Sequence, residues 1–202
     1  MSDTAEATVE DGRRARRDRN KYAVVDAFLE LVRAGNPRPS VAEVADRSGV
    51  SHRSVFRYFE DKDELARTAI ERQQAFAAPL LALTVGPGAP IDERISRFVE
   101  RRIELFEHLG PVARLARALA DGQPVLAAGL TSTRRYLRGQ IEHLFAAELR
   151  GMPGPQARHT LAVLDVVCSF ESVDLLLHDQ GLSRADVTAA IDRSMRQLLG
   201  VH

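Results

Sequence analysis

The sequence lacks several features that mark other classes of protein. Among its 202 residues there is a single cysteine, Cys168, which excludes an intramolecular disulfide framework and fits a reducing compartment. No apolar run reaches the length that a membrane-spanning helix needs. The polar, acidic N-terminus also lacks the charged and apolar regions of a signal peptide. We therefore expect a cytoplasmic protein with no membrane partner.

Patterns that carry catalytic or metal chemistry are scarce as well. No pair of His, Cys or carboxylate residues has a spacing typical of a metal or catalytic site, so the sequence predicts no metal, no cofactor and no enzyme. Internal repeats and the alternating pattern of strands are missing too. In contrast, 45% of the residues are hydrophobic, which is enough for a core, and they recur with the period of a helix. The predicted fold class is all-α.

Charge is balanced overall but uneven along the chain. The 28 Lys and Arg residues equal the 28 Asp and Glu residues, which argues against a protein that coats DNA by charge alone. Between Gly12 and Phe59, however, there are 11 basic residues and 5 acidic ones. This local excess favours an N-terminal module with a polyanionic partner.

Residues 40–59 have the spacing of a helix-turn-helix motif. Ser40 can cap a helix whose N3 residue is Glu43, which is an S-x-x-E capping box. Gly49 follows where a left-handed residue is wanted after that helix, and Ser51 can cap a second short helix. In such a motif the second helix enters the major groove of DNA.

The second helix sorts its side chains by chemistry. At 100° per residue Val55, Phe56 and Phe59 share one side, which we expect to pack on the first helix. Arg53, Ser54 and Arg57 lie on the other side. Arginine suits guanine O6 and N7, and equally phosphate. The alternative is a surface helix that carries arginines only because its outer side is wet.

Basic residues precede this motif. The run from Arg13 to Lys21 contains six Lys and Arg residues and leads into a helix that Gly35 is expected to end. Residues 1–12 are small, polar and acidic, and we expect disorder there, so that residues 1–16 form a disordered basic arm. Such an arm can reach the neighbouring minor groove or the phosphates. The alternative is a solvated helix start that contributes only solubility.

Residues 17–65 resemble the DNA-binding domain of the TetR family of transcriptional regulators. The resemblance is carried by GVSHRSVFRYFEDKDEL, in which Gly49-Val50-Ser51 opens the recognition helix, and Phe59 and Lys62 follow at the family's spacing. It implies that the first residues of this helix touch bases, and that Ser54 and Lys62 touch phosphates. An N-terminal three-helix domain with a helix-turn-helix is therefore expected.

Two positions depart from the family pattern. Phe56 stands where a tyrosine is common, so it lacks the hydroxyl for a phosphate contact, and Arg53 stands where a small residue is common. The operator preference is therefore expected to be this chain's own, set by Arg53, Arg57 and His52. The candidates for DNA contact are Arg16, Arg17, Ser40, Ser51, His52, Arg53, Ser54, Phe56, Arg57, Tyr58 and Lys62.

Residues 66–202 are expected to form a second, helical domain. The most apolar helix, residues 160–177, carries apolar residues on two nearly opposite sides and so needs two covers, one of which can be a partner chain. The TetR resemblance implies a helical bundle that dimerises through its last two helices and encloses an effector. A homodimer would present two recognition helices to double-stranded DNA with a palindromic operator.

Two charged residues fall within apolar stripes of this second domain. Arg102 and Glu171 each need a partner, since an unpaired buried charge is costly. They pair with each other or with neighbours such as Asp165 and Asp174, or else they line an effector cavity, in which case Arg102 favours an anionic effector. The candidates for this pocket are Arg102, Phe106, Tyr136, His143, Cys168 and Glu171.

These patterns predict a homodimeric, sequence-specific DNA-binding regulator, namely a repressor that a small-molecule effector releases. The helix that Asp61 is expected to cap, with Glu64 at N3, would be the lever for that release. The nearer alternatives are a DNA-binding dimer without an effector, or an activator. A helical interaction module or an enzyme is more remote, because it leaves the capped motif and the basic arm unexplained.

Overall fold

The computed structural model describes residues 3–201, with side chains from residue 14 onward. Its ten α-helices are α1 (Asp3–Arg33), α2 (Val41–Ser48), α3 (His52–Tyr58), α4 (Lys62–Ala77), α5 (Ile91–Ala120), α6 (Pro124–Leu144), α7 (Ala146–Arg150), α8 (Gly154–Val167), α9 (Phe170–Asp174) and α10 (Arg184–Leu199). A short 3₁₀ segment, Ala78–Leu81, follows α4, and a π segment, Leu175–Asp179, follows α9. These residues include no β-strand, which confirms the all-α prediction.

The chain forms two compact units. The first contains the chain through Phe76 together with Pro111–Leu119, and the second contains Ala77–Gly110 and the chain from Ala120 onward. These units are defined by contacts, whereas the predicted division into residues 1–16, 17–65 and 66–202 is by function and stays a prediction. Within residues 3–201, no helix combines the length and the apolar character required to cross a membrane.

The core of the first unit lies between α1 and the three helices that follow it. Apolar residues of α1 recur every three or four positions, and this side of the helix is buried. Polar contacts join α4 to α1, since Arg72 Nε donates to Asp26 Oδ1 at 2.7 Å and Arg33 Nη2 donates to Gln73 Oε1 at 2.5 Å. The buried apolar set includes Val24, Val25, Phe28, Leu29, Val32, Val44, Val55, Tyr58, Phe59, Leu65 and Ile70.

Helix α1 begins earlier than the sequence predicts. It starts at Asp3, within the segment for which disorder is expected through Gly12, while Met1 and Ser2 lie outside the described residues. Alanine is the strongest helix former, and acidic residues are favourable in a first turn because of the helix dipole. Alanine and acidic residues both occur at the start of α1. The prediction of disorder considers only the overall polarity of the segment and misses these local preferences.

Ion pairs as well as apolar packing hold the second unit together. Arg94 of α5 is buried and donates to both carboxylate oxygens of Glu148 in α7, at 3.0 and 2.6 Å. It also donates to the Leu144 carbonyl oxygen at 2.8 Å and to that of Ala89 at 2.9 Å. The hydrogen bonds from Arg94 lower the pKa of Glu148. This network fixes α5 against the end of α6 and against α7.

Two further arginines join α10 to α5. Arg184 donates to Glu100 Oε1 at 2.6 Å and to Glu107 Oε2 at 3.0 Å, and Arg196 bonds Asp92. The two glutamates raise the pKa of Arg184. All of these side chains are partly or largely exposed, so solvent screens each pair. The pairs therefore add little to the free energy of unfolding and mainly fix the position of α10 against α5.

Two differences from the predicted helix boundaries occur at prolines. A helix is expected over residues 61–85, but α4 ends at Ala77, because Pro79 lacks the N–H that a continuing helix needs. Gly110-Pro111, in contrast, is expected to separate two helices, yet α5 continues through it to Ala120. A helix can accommodate an internal proline at the cost of one backbone hydrogen bond and some strain.

Two other predicted helices are interrupted without a glycine or a proline at the break. The stretch 160–177 divides into α8 and α9 because Ser169 caps α9, accepting from the Ser172 N–H at 3.1 Å. The helix expected over residues 124–149 is interrupted at Phe145, between α6 and α7. Helical periodicity continues across both breaks, so it cannot locate them.

Candidate nucleic-acid interface

Side-chain caps build the helix-turn-helix formed by α2 and α3. Ser40 Oγ accepts from the Glu43 N–H at 3.2 Å, and Glu43 Oε2 accepts from the Ser40 N–H at 2.7 Å. The Ser40 hydroxyl also donates to Glu43 Oε2 at 2.7 Å, and this bond, followed by the bond from the Ser40 N–H, lowers the pKa of Glu43. Gly49 ends α2 with a φ of 67°, in the left-handed region that suits glycine. Ser51 Oγ accepts from the Ser54 N–H at 3.3 Å and starts α3, so the predicted capping pattern is confirmed.

The buried side of α3 differs from the predicted one. Val55 and Tyr58 are buried within the helix, and Phe59 is buried directly after it, whereas Phe56 is 53% exposed. The sequence prediction places Phe56 on the apolar side because it treats Phe59 as part of the same helix. In fact Phe59 already has an extended backbone, with φ −135° and ψ 130°, so the short helix turns Val55 and Tyr58 inward and leaves Phe56 outside.

Tyr58 has a packing role, which differs from its expected role as a DNA contact. Its ring is buried, and its hydroxyl accepts from Asn20 Nδ2 at 3.4 Å and from Arg57 Nη2 at 3.2 Å. The hydrogen bond from Asn20 is the main reason that the pKa of Tyr58 is lowered. Nothing in the sequence marks Asn20, because a polar residue in a basic stretch gives no signal of a partner 38 positions away.

The remaining DNA-contact candidates are accessible. His52, Arg53 and Arg57 are exposed on α3, and Ser54 is half-buried beside its cap. Lys62, exposed at the start of α4, has its Nζ atom 3.5 Å from the Arg38 carbonyl oxygen. That helix starts as expected, since Asp61 accepts from the Glu64 N–H at 2.7 Å.

The basic stretch of α1 lies beside the end of α3. Arg16 and Arg17 are exposed, and the charge of Arg17 acts on the Tyr58 hydroxyl. The Lys21 ammonium lies 5.1 Å from the centroid of the Phe59 ring. The first unit thus brings cationic groups of α1 close to the helix that carries Arg57, an arrangement suited to a polyanion.

The six pocket candidates of the second unit fall into two groups. Arg102, Phe106 and Cys168 are buried, whereas Tyr136, His143 and Glu171 are exposed. The rings of Phe106 and Phe170 meet edge to face, with centroids 5.6 Å apart. Burial raises the pKa of the Cys168 thiol to about 12, so this thiol stays protonated and unreactive at neutral pH. Among the described residues no cluster of His, Cys, Asp and Glu suits a metal ion.

Arg102 is only 4% exposed and takes part in none of the ion pairs found within residues 14–201. Its Nη2 atom donates to the Leu137 carbonyl oxygen at 3.3 Å and to Gln140 Oε1 at 3.1 Å. The guanidinium lies 4.6 Å from the centroid of the Phe98 ring and 5.8 Å from that of Phe106. Desolvation lowers the pKa of Arg102 to about 10, so the group remains a buried cation at neutral pH.

The expected pairing of Arg102 with Glu171 is not the one observed. Glu171 bonds Arg134, and Asp165 lies 3.8 Å from Arg138. Both arginines belong to α6, and both carboxylates belong to the segment of α8 and α9. Glu171 is exposed in α9, which the cap at Ser169 separates from α8, whereas the sequence predicts a single helix with Glu171 in an apolar stripe.

Comparison with known proteins gives a match to one protein family over part of the chain and a similar fold in several solved structures. Residues 29–69 match the family described as bacterial regulatory proteins, tetR family, while no curated protein matches the chain. The fold is similar to that of a tetR-family transcriptional regulator from Streptomyces coelicolor, with a TM-score of 0.68, 20% identity and coverage of 90% of this chain and 80% of that one. It is also similar to two proteins from Rhodococcus sp. RHA1. One is a transcriptional regulator, with a TM-score of 0.63 and 21% identity, and the other is a TetR-like transcriptional regulator, with a TM-score of 0.59 and 18% identity. Each match covers 91% of this chain and 96% of the other.

The segment that matches the family model is the one that contains the helix-turn-helix. The matched segment 29–69 contains the capping box of α2, the left-handed Gly49 and the cap of α3. The proteins that this family model describes are bacterial regulators, which is the class that the sequence predicts for this chain. The helix-turn-helix thus lies in the segment that matches bacterial regulatory proteins of the tetR family, and the fold of the chain is similar to that of transcriptional regulators of this type.

Proposed function

We propose that the protein is a repressor that binds a palindromic operator as a homodimer and is released by a small-molecule effector. The observation that carries the DNA-reading part is the division of α3 into two sides. Val55 and Tyr58 are buried, whereas His52, Arg53 and Arg57 are exposed. A helix fixed by its apolar side and exposing guanidinium groups fits the geometry of major-groove recognition.

The exposed residues are proposed to contact different parts of the DNA. Arg53 and Arg57, with His52, contact base edges and set the sequence preference, because guanidinium groups can pair bidentately with guanine. Ser54 and Lys62 hold phosphates and fix the register of the helix. Arg16 and Arg17 extend the basic surface along the backbone or into the neighbouring minor groove.

Selection of bound sequences from random DNA tests this proposal. The expected product is a palindrome whose half-sites are about one helical turn apart, or a multiple of it. Affinity for the operator should fall steeply as salt rises and should exceed non-specific affinity by about 10³-fold or more. Recovery of no preferred sequence would refute a sequence-specific regulator.

The dimer is proposed to form through the last helices, including α8. Val163 and Val166 lie one turn apart on α8 and are 45% and 64% exposed, while Leu161 and Leu164 of the same helix are buried. A helix with an apolar side left in water is a typical element of a homodimer interface. Such a dimer supplies the twofold symmetry that a palindrome requires.

The effector is proposed to act through Arg102 and to carry an anionic group. Support comes from the burial of a cation that bonds a carbonyl and an amide oxygen and lacks a direct carboxylate partner within residues 14–201. The effector releases the operator only to the extent that it prefers a conformation unable to bind DNA. Helix α4, which follows the helix-turn-helix directly in the chain, is the proposed lever.

A DNA-binding dimer without an effector is the second candidate. The contacts of Arg102 with Leu137, Gln140, Phe98 and Phe106 favour it, because they already stabilise the guanidinium. Arg102→Met separates the two candidates when operator release is measured with straight-chain carboxylates and with primary alcohols of matched length. An effector site predicts release by a carboxylate only, and loss of this release in a variant of unchanged thermal stability. Lower stability with normal release would exclude Arg102 from the site.

A further inference from the structure

Phe56 presents an apolar ring to solvent from the middle of the recognition helix. It is the exposed large apolar side chain of α3, whereas the buried side of that helix is formed by Val55 and Tyr58. A phenyl ring with a packing role is normally buried, because its removal from water stabilises the fold. Packing within the first unit therefore does not account for a phenylalanine at this position.

The neighbours of Phe56 hold the ring in a defined place. His52, one turn earlier, meets it edge to face, with centroids 5.1 Å apart and ring planes at 69°. Residues four apart lie on one side of a helix, so these two rings form a stripe. Arg53 and Arg57, also exposed and four apart, form the adjacent stripe. The outer surface of α3 thus combines one aromatic pair with one guanidinium pair.

The chemistry of the ring restricts what it can bind in DNA. A phenyl group has no donor or acceptor, so Phe56 cannot hydrogen-bond to a phosphate or to the polar edge of a base. The apolar group that the major groove displays is the C5-methyl of thymine. Resting on the proposed entry of α3 into that groove, we infer that Phe56 reads a thymine in each half-site by packing against its methyl group, with His52 holding the ring in position.

Deoxyuridine provides the test because it differs from thymidine only in lacking this methyl group. Starting from the selected operator, each thymine of one half-site is replaced in turn by deoxyuridine, and the affinity of the full-length protein is measured. One replacement should weaken binding about fourfold, the effect of one methyl group leaving an apolar contact. Phe56→Ala should weaken binding to the thymine operator by at least as much and should abolish the effect of that replacement. Phe56→Tyr keeps the ring and should keep the effect.

Val125→Ala is the matched control, since Val125 is an apolar side chain of the second unit with 66% exposure. It should change neither the affinity nor the response to deoxyuridine. The inference fails if no thymine responds to loss of its methyl group, or if Phe56→Ala responds as the unaltered protein does. It also fails if Phe56→Ala weakens all sequences equally, which would place the ring against the sugar–phosphate backbone. In these cases the selected operator still supports the proposed function, whereas the absence of any operator would refute that function itself.

Discussion

Arg53 is exposed on the recognition helix, where the family resemblance implies a small residue. Its guanidinium can pair bidentately with guanine or bind a phosphate. We expect Arg53→Ala to weaken binding to the selected operator by roughly 1–3 kcal/mol and to relax the preference at one base pair. Fluorescence anisotropy against single-base variants of the operator measures both effects. Arg97→Ala, which removes an exposed arginine from α5, should leave both unchanged. A uniform loss on every sequence would make Arg53 a phosphate contact instead.

Cys168 gives a prediction about pH at the same scale. Burial raises the pKa of its thiol from 9.0 to about 12, so between these values the unfolded thiol ionises while the folded thiol keeps its proton. The folded state then binds more protons, and its stability falls as pH rises. From this group we expect the free energy of unfolding to fall by up to about 1.4 kcal/mol per unit above pH 9. Urea unfolding should give Cys168→Ala a shallower pH dependence; equal slopes would contradict the burial of the thiol.

Helices α3 and α10 begin with the same kind of serine cap. Ser51 Oγ accepts from the Ser54 N–H at 3.3 Å, and Ser183 Oγ accepts from the Asp186 N–H at 3.1 Å. We expect Ser51→Ala and Ser183→Ala each to lower the free energy of unfolding by about 1 kcal/mol, as measured by urea unfolding. Only Ser51→Ala should also weaken operator binding, since it loosens the helix that carries Arg53. Equal effects of both changes on DNA binding would argue against a special role for α3.

Helix starts are predictable from this sequence, and several helix ends are not. The caps at Ser40, Ser51, Asp61 and Ser183 are local, since each depends on a residue three positions later. The breaks near Phe145 and Ser169 depend on what the flanking turns pack against, and periodicity has no access to this. The exposure of Phe56 belongs to the same class, because it depends on which side of α3 packs against α1 and α2.

Over the whole molecule, contacts between distant parts of the chain are the ones that sequence reasoning cannot supply. Capping residues and the family resemblance predict the helix-turn-helix, and the helical period predicts its exposed arginines. These signals say nothing of the bond from Asn20 to Tyr58, 38 positions apart, or of the pair Arg94–Glu148, 54 positions apart. The partner of Arg102 is equally unpredictable, since Gln140 has no charge to mark it. Residues with local signals are therefore found from sequence, and residues defined by tertiary partners are not.

Assembly is the property of the whole molecule on which operator recognition is proposed to depend. Val166 is 64% exposed on α8, next to the 45% exposed Val163. A carboxylate placed within a proposed apolar interface would be buried without a partner, so we expect Val166→Glu to convert the proposed dimer to a monomer. Sedimentation velocity measures the mass, and affinity for the two-half-site operator should fall by about a hundredfold or more, because the two recognition helices are no longer linked.

Val125→Glu is the control for this change, because Val125 is as exposed as Val166, at 66%, and lies at the start of α6. It introduces the same charge and should leave both mass and affinity unaltered. A Val166→Glu protein that stays dimeric would exclude the α8 surface from the interface. A monomeric protein that keeps its full affinity would instead separate dimerisation from operator recognition, and the palindrome would then lose its structural explanation.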